Sequence, residues 1–406
     1  MAQQQVQKTV TASDAAISSC CLNCGNSPLS VFYRVNKIPV HSCMLINDRN
    51  SARVFPRGDL SLGFCPTCGF ISNVAFDPAM ETYGRIYEES QGFSPCFNRF
   101  MDSLARRLIS KFNVRNKKVL EIGCGKGEFL AAMCTLGHNE GIGIDPGCNP
   151  DRLPEETRNR ITLIRDFYGE AYTNITADFV CCRHTLEHIA PTREFLLTVR
   201  GAMSSSPQAI AFFEVPDVLR VLRERAFWDI YYEHCSYFSA GSLARLFRSC
   251  GFDIIDLELD YDNQYILLTA RPTSVSKSRL TIEHDMEDLR AKVARFSFMV
   301  TEDLEMWRRR MNAWFDNGVS VALWGAGSKC VSFLTTLQLD EQVCYVCDIN
   351  PFKQGTYTPG TGHAIVSPEY LASRPPDVVI AMNRIYRPEI AAELDRLKVR
   401  AELLEV

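Results

Sequence analysis

The sequence has no apolar run of membrane length and no excess of basic charge. Its 406 residues include 44 Lys and Arg against 48 Asp and Glu, a formal net charge of -4. Without a basic field or a conspicuous Lys/Arg run, a nucleic-acid partner is not favoured. No apolar stretch approaches the roughly 20 residues that a membrane-spanning helix needs, and the polar N-terminus lacks a hydrophobic signal region. We therefore expect no membrane partner, a cytoplasmic location and a disordered tail over residues 1–19.

Cysteine, in contrast, is abundant: the chain has 17. They are scattered through a long sequence rather than clustered in a short one, and Cys181 and Cys182 lie inside an apparent strand. This distribution argues against a disulfide scaffold and indicates buried thiols in a reducing compartment.

Four cysteines form two C-x2-C pairs, Cys21 with Cys24 and Cys65 with Cys68. Tight C-x2-C turns direct two thiolates at one point, and two such turns complete the tetrahedral shell of a structural zinc ion. Redox dithiols and plain buried cysteines are the competing interpretations, and His41 and Cys43 are spare donors nearby. Because four sulfurs close the shell, we expect this zinc to be structural rather than catalytic.

The most informative segment is an apolar strand that runs into a glycine-rich loop, Val119-Leu120-Glu121-Ile122-Gly123-Cys124-Gly125-Lys126-Gly127. Its three glycines permit a tight turn and a close approach to a ligand, and the following helix presents free N–H groups there. A dinucleotide fingerprint would need its third glycine at position 128, where the chain has Glu128. The spacing E-x-G-x-G-x-G instead resembles the first motif of class I S-adenosylmethionine methyltransferases, which implies S-adenosylmethionine as cofactor.

Two further acids are placed as this interpretation requires. Asp145 ends a predicted strand, where a carboxylate can accept both ribose hydroxyls. Asp166 and Phe167 follow the next strand, where the resemblance implies adenine contacts. The competing interpretation is that these are ordinary turn residues of a doubly wound domain. The predicted cofactor-binding residues are Glu121, Gly123, Gly125, Gly127, Asp145, Asp166 and Phe167.

From about residue 77 to residue 271, short apolar strands alternate with amphipathic helices, which predicts an α/β doubly wound sheet. The predicted strands include 118–122, 141–144, 162–164, 179–182 and 210–214. A long amphipathic stretch over 280–315 and a second Rossmann-like unit follow. At 406 residues the chain suggests two to three domains. We expect a small zinc-binding domain at 20–78, a class I methyltransferase domain at 79–275, and a helical linker plus Rossmann-like domain at 276–406.

Candidate catalytic groups follow the fourth and fifth predicted strands. His184 and His188 lie beyond the carboxyl end of a strand, where ligands of open α/β sheets bind. They do not form a zincin motif, because the glutamate adjoins the second histidine rather than the first. Either histidine can serve as acid, base or orienting donor, or merely cap the local backbone. Further on, Tyr231, Glu233 and His234 supply a hydroxyl donor, a tuning carboxylate and a base, with simple packing as the competing interpretation.

Taken together, the cysteine pairs, the glycine loop, the Tyr-x-Glu-His segment and the second Rossmann-like unit resemble the nucleotide-sugar C-methyltransferases of deoxysugar biosynthesis, over nearly the whole chain. The resemblance implies that the three domains enclose one site, where a keto sugar linked to a nucleoside diphosphate is methylated at carbon. It matches Tyr231, Glu233 and His234 to the family's Tyr-x-Glu-His element, and His188 and Tyr87 to two further site positions.

A carbon beside a ketone becomes nucleophilic when a base deprotonates it and nearby donors stabilise the enolate. We assign His234 as the candidate base, with Glu233 orienting it or sharing the role, and Tyr87, Tyr231 and His188 as candidate donors. His184 is included among the catalytic candidates, although the family members have Asn there and Asp in place of Tyr232. The sugar, its nucleotide and the carbon methylated stay open, as does the oligomeric state.

The second Rossmann-like unit carries the loop Gly325-Ala326-Gly327-Ser328-Lys329, with Cys330 where a dinucleotide fingerprint has its third glycine. An NAD-dependent oxidoreductase is therefore a weaker hypothesis. An O-, N- or C-methyltransferase for a different small molecule, or a nonenzymatic scaffold, is also compatible with these residues. By resemblance the unit closes over the nucleotide sugar, and Lys329 could meet phosphate.

Overall fold

A computed structural model of the protein describes residues 16–17, 20–26, 28–80, 86–275 and 278–406. Most of the predicted disordered tail, residues 1–15 and 18–19, lies outside the described residues. The remainder, Ala16–Ile17, is a short strand paired antiparallel with residues 29–30. In the part of the chain that the structure describes, no helix is long and apolar enough to cross a bilayer.

The α/β class predicted from the sequence is confirmed. The strands are β1 Ala16–Ile17, β2 Leu29–Pro39, β3 Arg57–Phe64, β4 Ile71–Asn73, β5 Lys118–Ile122, β6 Glu140–Ile144, β7 Ile161–Ile164, β8 Phe179–Arg183, β9 Ile210–Pro216, β10 Ser236–Tyr237, β11 Phe252–Asp260, β12 Tyr265–Pro272, β13 Val321–Trp324, β14 Tyr345–Cys347, β15 Ile365–Val366, β16 Val378–Ala381 and β17 Glu402–Glu405. The helices are α1 Arg49–Arg53, α2 Pro95–Phe112, α3 Glu128–Gly137, α4 Thr192–Ala202, α5 Val218–Glu224, α6 Ala240–Ser249, α7 Met286–Asp316, α8 Ser328–Leu337, α9 Pro368–Ser373 and α10 Arg387–Arg396.

The central sheet has the strand order β11-β12-β9-β8-β5-β6-β7. Strands β5 to β9 are parallel to one another, whereas β12 is antiparallel to both β9 and β11. The five strands predicted for this region all lie within β5 to β9. Because the parallel strands end at the same edge, the segments that follow β5, β6, β7 and β8 converge there.

Two smaller sheets flank the central one. The N-terminal sheet is antiparallel, in the order β1-β2-β3-β4-β10, and its last strand comes from within the predicted methyltransferase segment. The C-terminal sheet is parallel, in the order β15-β14-β13-β16-β17, as expected of a Rossmann-like unit.

Helix α7 joins the two flanking sheets into one core. Its buried residues recur every three or four positions, the spacing of one helical face. These residues are Leu289, Val293, Phe296, Val300, Leu304, Trp307 and Met311. They pack in one cluster with Val35 of the N-terminal sheet and Leu323 of the C-terminal sheet. This shared core holds the C-terminal unit over the carboxyl edge of the central sheet, and a cavity lies between them.

Candidate active site

A cavity of about 960 Å³ lies between the central and C-terminal sheets. Its wall includes residues 123–126 of the first glycine loop, the segment after β8, residues 231 and 234, and much of the second glycine loop. The predicted site residues outside the four-cysteine cluster all line this cavity, except Gly127 and Glu233.

The glycine loop after β5 is shaped by close neighbours. Gly123, Gly125 and Gly127 all have positive φ angles, of 70°, 52° and 83°. A Cβ added at Gly123 would lie 1.9 Å from Thr185 Oγ1, and one at Gly125 would lie 2.7 Å from Glu89 Oε1. Glycine is therefore required here both for backbone conformation and for space.

The carboxylate of Asp145 braces this loop. Its Oδ2 accepts from the backbone N–H of Gly125 at 3.0 Å, and its Oδ1 accepts from that of Gly147 at 2.6 Å. Asp166 lies further along the same edge, where it accepts from Tyr172 Oη at 2.6 Å, and the neighbouring Phe167 ring is 62% exposed. An exposed ring on a cavity wall is a suitable face for stacking a base.

Glu121 is buried beneath the loop. Its Oε2 has no hydrogen-bond partner among the described residues, and burial raises the pKa of its carboxyl group to about 8 despite the nearby Arg183 guanidinium. The loop conformation, the braced acid, the orphaned buried oxygen and the exposed ring together fit a nucleoside cofactor such as S-adenosylmethionine.

His234 and His188 face each other on the cavity wall. Their ring centroids are 4.7 Å apart and nearly perpendicular, and the ring of Tyr231 packs on His234 at 4.2 Å. Burial, together with the neighbouring His188, His184 and Lys329, holds the pKa of His234 well below its ordinary value of 6.5. Burial therefore favours the neutral form of the His234 ring.

Glu233 points away from the cavity, and its hydrogen bonds are made to groups other than the His234 ring. Its carboxylate contacts His41 Nδ1 at 3.2 Å and accepts from Ser42 N at 3.2 Å, Tyr87 Oη at 3.0 Å and Ser328 Oγ at 3.3 Å. Burial would raise the pKa of Glu233, but these hydrogen bonds, led by that of His41, hold it below its usual value. Glu233 therefore fixes the position of Tyr87 rather than that of the His234 ring, and Tyr87 Oη donates its proton to Glu233 Oε2.

His184 and His188 do not share a face. His184 has a φ of 50°, and its Nε2 lies 2.7 Å from Glu214 Oε1 and its Nδ1 3.7 Å from Glu187 Oε1. These carboxylates outweigh the effect of burial and raise the pKa of His184 to about 9. His184 is therefore an ion-paired cation packed on Tyr265, and His188 approaches His234 instead.

The second glycine loop is tied to the wall by its own side chains. Ser328 donates to Glu233, and Lys329 Nζ lies 2.6 Å from Asp229 Oδ1. Burial lowers the pKa of Lys329 to about 8, with Asp229 opposing the shift. Lys329, which the sequence suggested as a phosphate contact, is thus already ion-paired with Asp229 within the protein.

The four predicted cysteines come together. The Sγ atoms of Cys21 and Cys68 are 3.6 Å apart, as are those of Cys24 and Cys65, and all four lie within 4.8 Å of one another. Two other suggested donors lie elsewhere: His41 contacts Glu233, and Cys43 Sγ contacts Ser328 Oγ at 3.6 Å.

Three groups of the site were missed by sequence reasoning, namely His41, Asp229 and Glu187. His41 is 192 residues from its partner Glu233, and no local pattern links them. Asp229 lies two residues before Tyr231, and Glu187 lies between His184 and His188, so their closeness to predicted site residues was the available signal.

Comparison with known proteins agrees with this geometry. Residues 97–257 match the methyltransferase domain family, and residues 276–402 match the C-methyltransferase C-terminal domain family. The chain is 28% identical over 287 residues to the C-methyltransferase NovU of Streptomyces niveus, covering 67% of each protein.

Solved structures resemble part of the chain. One is N,N-8-amino-8-demethyl-D-riboflavin dimethyltransferase from Streptomyces davawensis, with 19% identity, a TM-score of 0.34 and coverage of 44% of this chain and 56% of that chain. Another is 1,6-didemethyltoxoflavin-N1-methyltransferase from Burkholderia thailandensis, with 16% identity, a TM-score of 0.32 and coverage of 43% and 79%.

The family matches and the loop geometry define a class I S-adenosylmethionine-dependent methyltransferase. The chain is, more specifically, a C-methyltransferase in which a methyltransferase domain is followed by a C-methyltransferase C-terminal domain. The resemblance inferred from the sequence is confirmed at this level.

Proposed function

We propose that the acceptor is a nucleotide-linked keto sugar, methylated at the carbon beside its ketone through an enolate. The observation that carries the proposal is the cluster of His234, His188 and Tyr231 on the wall of a cavity shared by the two Rossmann-like units. The cavity volume of about 960 Å³ is large enough for a cofactor and a sugar nucleotide together.

His234 takes the proton from the carbon beside the ketone, and the electrons of the broken C–H bond move onto the ketone oxygen. Tyr231 and His188, which also line the cavity, are the proposed donors to that oxygen. When bound, S-adenosylmethionine would supply an electrophilic methyl group; the ketone re-forms as the enolate carbon makes the new C–C bond, and the electron pair of the broken S–CH3 bond would remain on sulfur, leaving S-adenosylhomocysteine. Glu233, acting from outside the cavity, holds Tyr87 and Ser328 in place.

We also propose that the four-cysteine cluster holds a structural zinc ion. The observed Sγ separations of 3.6 Å are close to the ~3.8 Å edge of a tetrahedron built from Zn–S bonds of about 2.3 Å. Each pair is followed by a glycine with positive φ, Gly25 or Gly69, whose N–H closes the turn. Metal analysis of protein freed of excess metal should find one zinc per chain at the four cysteines, lost in Cys24→Ser. None of the 17 cysteines forms a disulfide; four are the proposed zinc ligands, and we propose a cytoplasmic location from the scattered placement of the others in the sequence.

Hydrogen exchange at the acceptor carbon tests the base directly. With a panel of nucleotide-linked keto sugars in D₂O and S-adenosylhomocysteine in place of the methyl donor, the wild-type protein should exchange the hydrogen beside the ketone. His234→Asn should lose both this exchange and methyl transfer from labelled S-adenosylmethionine, while its cofactor affinity stays within about twofold.

The matched control is His284→Asn, which removes an exposed histidine outside the cavity and should retain both reactions. Exchange that persists in His234→Asn would reject His234 as the base. Absence of label transfer to every keto sugar of the panel would favour a different small-molecule acceptor.

A further inference from the structure

Glu187 is a buried carboxylate held, among the described residues, by a long ion pair with His184 and by no hydrogen bond. It is 2% exposed, and among the described residues neither of its side-chain oxygens has a hydrogen-bond partner. The nearest cation is His184, whose Nδ1 lies 3.7 Å from Oε1 while its other nitrogen is engaged by Glu214. A buried carboxylate in this state is costly unless a cation or ordered water completes its surroundings.

Two imidazoles lie beside this carboxylate. One potential ligand atom each from Glu187, His188 and His234 lies within 4.8 Å of the other two, and all three residues line the cavity. Two of them sit on the turn after β8 and the third on the loop before β10. Cys235 Sγ donates to the Glu187 carbonyl at 3.6 Å, and Ser236 Oγ donates to the Ile189 carbonyl at 2.9 Å. The two segments are therefore held together independently of any ligand.

We infer that Glu187, His188 and His234 form a binding site for a divalent transition-metal ion such as zinc, distinct from the four-cysteine cluster. Two histidines and one glutamate are a donor set that binds such ions while leaving a coordination position open. Here the open position faces the cavity. Metal–ligand bonds of about 2.1 Å place tetrahedral ligand atoms ~3.4 Å apart. The three side chains therefore move closer to one another, by small rotations, when the ion binds.

The ion has a functional consequence that rests on the proposed function. A metal ion at this site takes the lone pair of His234, which then cannot accept the acceptor's proton. Occupancy therefore inhibits methyl transfer.

Cobalt titration provides the test. Full-length protein is first saturated with zinc at the four cysteines and freed of excess metal, and Co²⁺ is then added. We expect one additional ion per chain by equilibrium dialysis, with weak visible absorption and no thiolate charge-transfer band. Glu187→Gln keeps the side-chain volume but removes a proposed ligand. It should weaken Co²⁺ binding by more than the loss of an outer-shell partner does, which is about 10-fold to 100-fold.

The matched control is Glu194→Gln, which makes the same charge change at an exposed residue of the same cavity wall and should bind like the wild type. A thermal melt establishes that each variant is folded, and His188→Asn should reproduce the loss through a second ligand. No additional ion in the wild type, or equal binding in the wild type and Glu187→Gln, would overturn the site.

The activity measurement separates the two proposals. Bound Co²⁺ should inhibit methyl transfer by the wild-type protein, and unchanged or increased activity at saturation would overturn the inhibitory role. If the additional ion binds while His234→Asn still exchanges the acceptor hydrogen, the metal site stands and the proposed base fails.

Discussion

The protein contains two glycine loops built on the same plan, and the comparison between them shows what a cofactor loop requires. In each, the aspartate that follows the next strand accepts two hydrogen bonds from backbone N–H groups. One N–H group belongs to the glycine loop, and the other belongs to the residue two positions after the aspartate. Asp145 accepts from Gly125 and Gly147, and Asp348 accepts from Ala326 at 2.7 Å and Asn350 at 2.8 Å. The braced loop is therefore a property of the fold and does not by itself define a cofactor site.

The loops differ in how closely the protein surrounds them. All three glycines of the first loop have positive φ, and side chains press against each of them. In the second loop Gly325 alone has positive φ, and nothing among the described residues lies within 4 Å of a Cβ added at Gly327. Moreover, Ser328 and Lys329 of the second loop are bound to Glu233 and Asp229. The first loop is closely enclosed, as we expect of a loop whose backbone meets a ligand, whereas the second is bonded to the cavity wall through Ser328 and Lys329.

The largest expected effect comes from adding a single methyl group to each loop. In Gly123→Ala the new Cβ would lie 1.9 Å from Thr185 Oγ1, and the alanine would have to keep a φ of 70°. We therefore expect the free energy of unfolding to fall by about 2–5 kcal/mol and cofactor binding to become unmeasurable. Gly327→Ala should change the free energy of unfolding by less than about 0.5 kcal/mol. Urea denaturation and calorimetric cofactor titration measure both. Equal losses in the two variants would contradict the distinction.

A smaller effect should separate the two aspartates. Asp145→Asn should weaken S-adenosylmethionine binding about 10-fold to 100-fold, because the variant loses the charge that accepts the ribose hydroxyls and braces the loop. Asp348→Asn makes the same change in the second loop and should leave cofactor affinity within about twofold. Isothermal titration of both variants decides this prediction, and a comparable weakening in Asp348→Asn would assign the cofactor to both loops.

The smallest effect concerns the strand beneath each loop, where Glu121 has Leu323 as its counterpart. The raised pKa of Glu121, about 8 in the folded protein against an ordinary value of 4.5, means that its contribution to stability is present below pH 4.5 and lost as the pH rises towards 8. Glu121→Gln should therefore become increasingly more stable than the wild type across this range, by at most about 1.4 kcal/mol per pH unit.

Thermal melts at pH 5, 6, 7 and 8 measure this difference. Glu140→Gln, which changes an exposed glutamate of the neighbouring strand, should show no such trend. A stability difference that does not depend on pH would show that Glu121 is ionised in the folded protein.

Local patterns were enough for the features that lie within one stretch of chain. The five parallel strands of the central sheet and the glycine loop after β5 follow from residue spacing, since each is set by neighbouring residues. The pairing of Glu233 with His234 was expected on the same basis, but adjacent side chains of an irregular segment point in different directions. Glu233 turns inward to His41, 192 residues away, while His234 faces the cavity.

The sequence by itself determined the α/β class, the methyltransferase loop and the two cysteine pairs, because backbone conformation and ligand spacing are local properties. Only the tertiary structure decided that Glu233 binds Tyr87, that Lys329 is paired with Asp229, and that Glu187 lies near both His188 and His234. These relations depend on segments that are distant in sequence: Lys329 meets Asp229 where the C-terminal unit packs on the rest of the chain, and hydrogen bonds of Cys235 and Ser236 join the loop that carries His234 to the turn after β8.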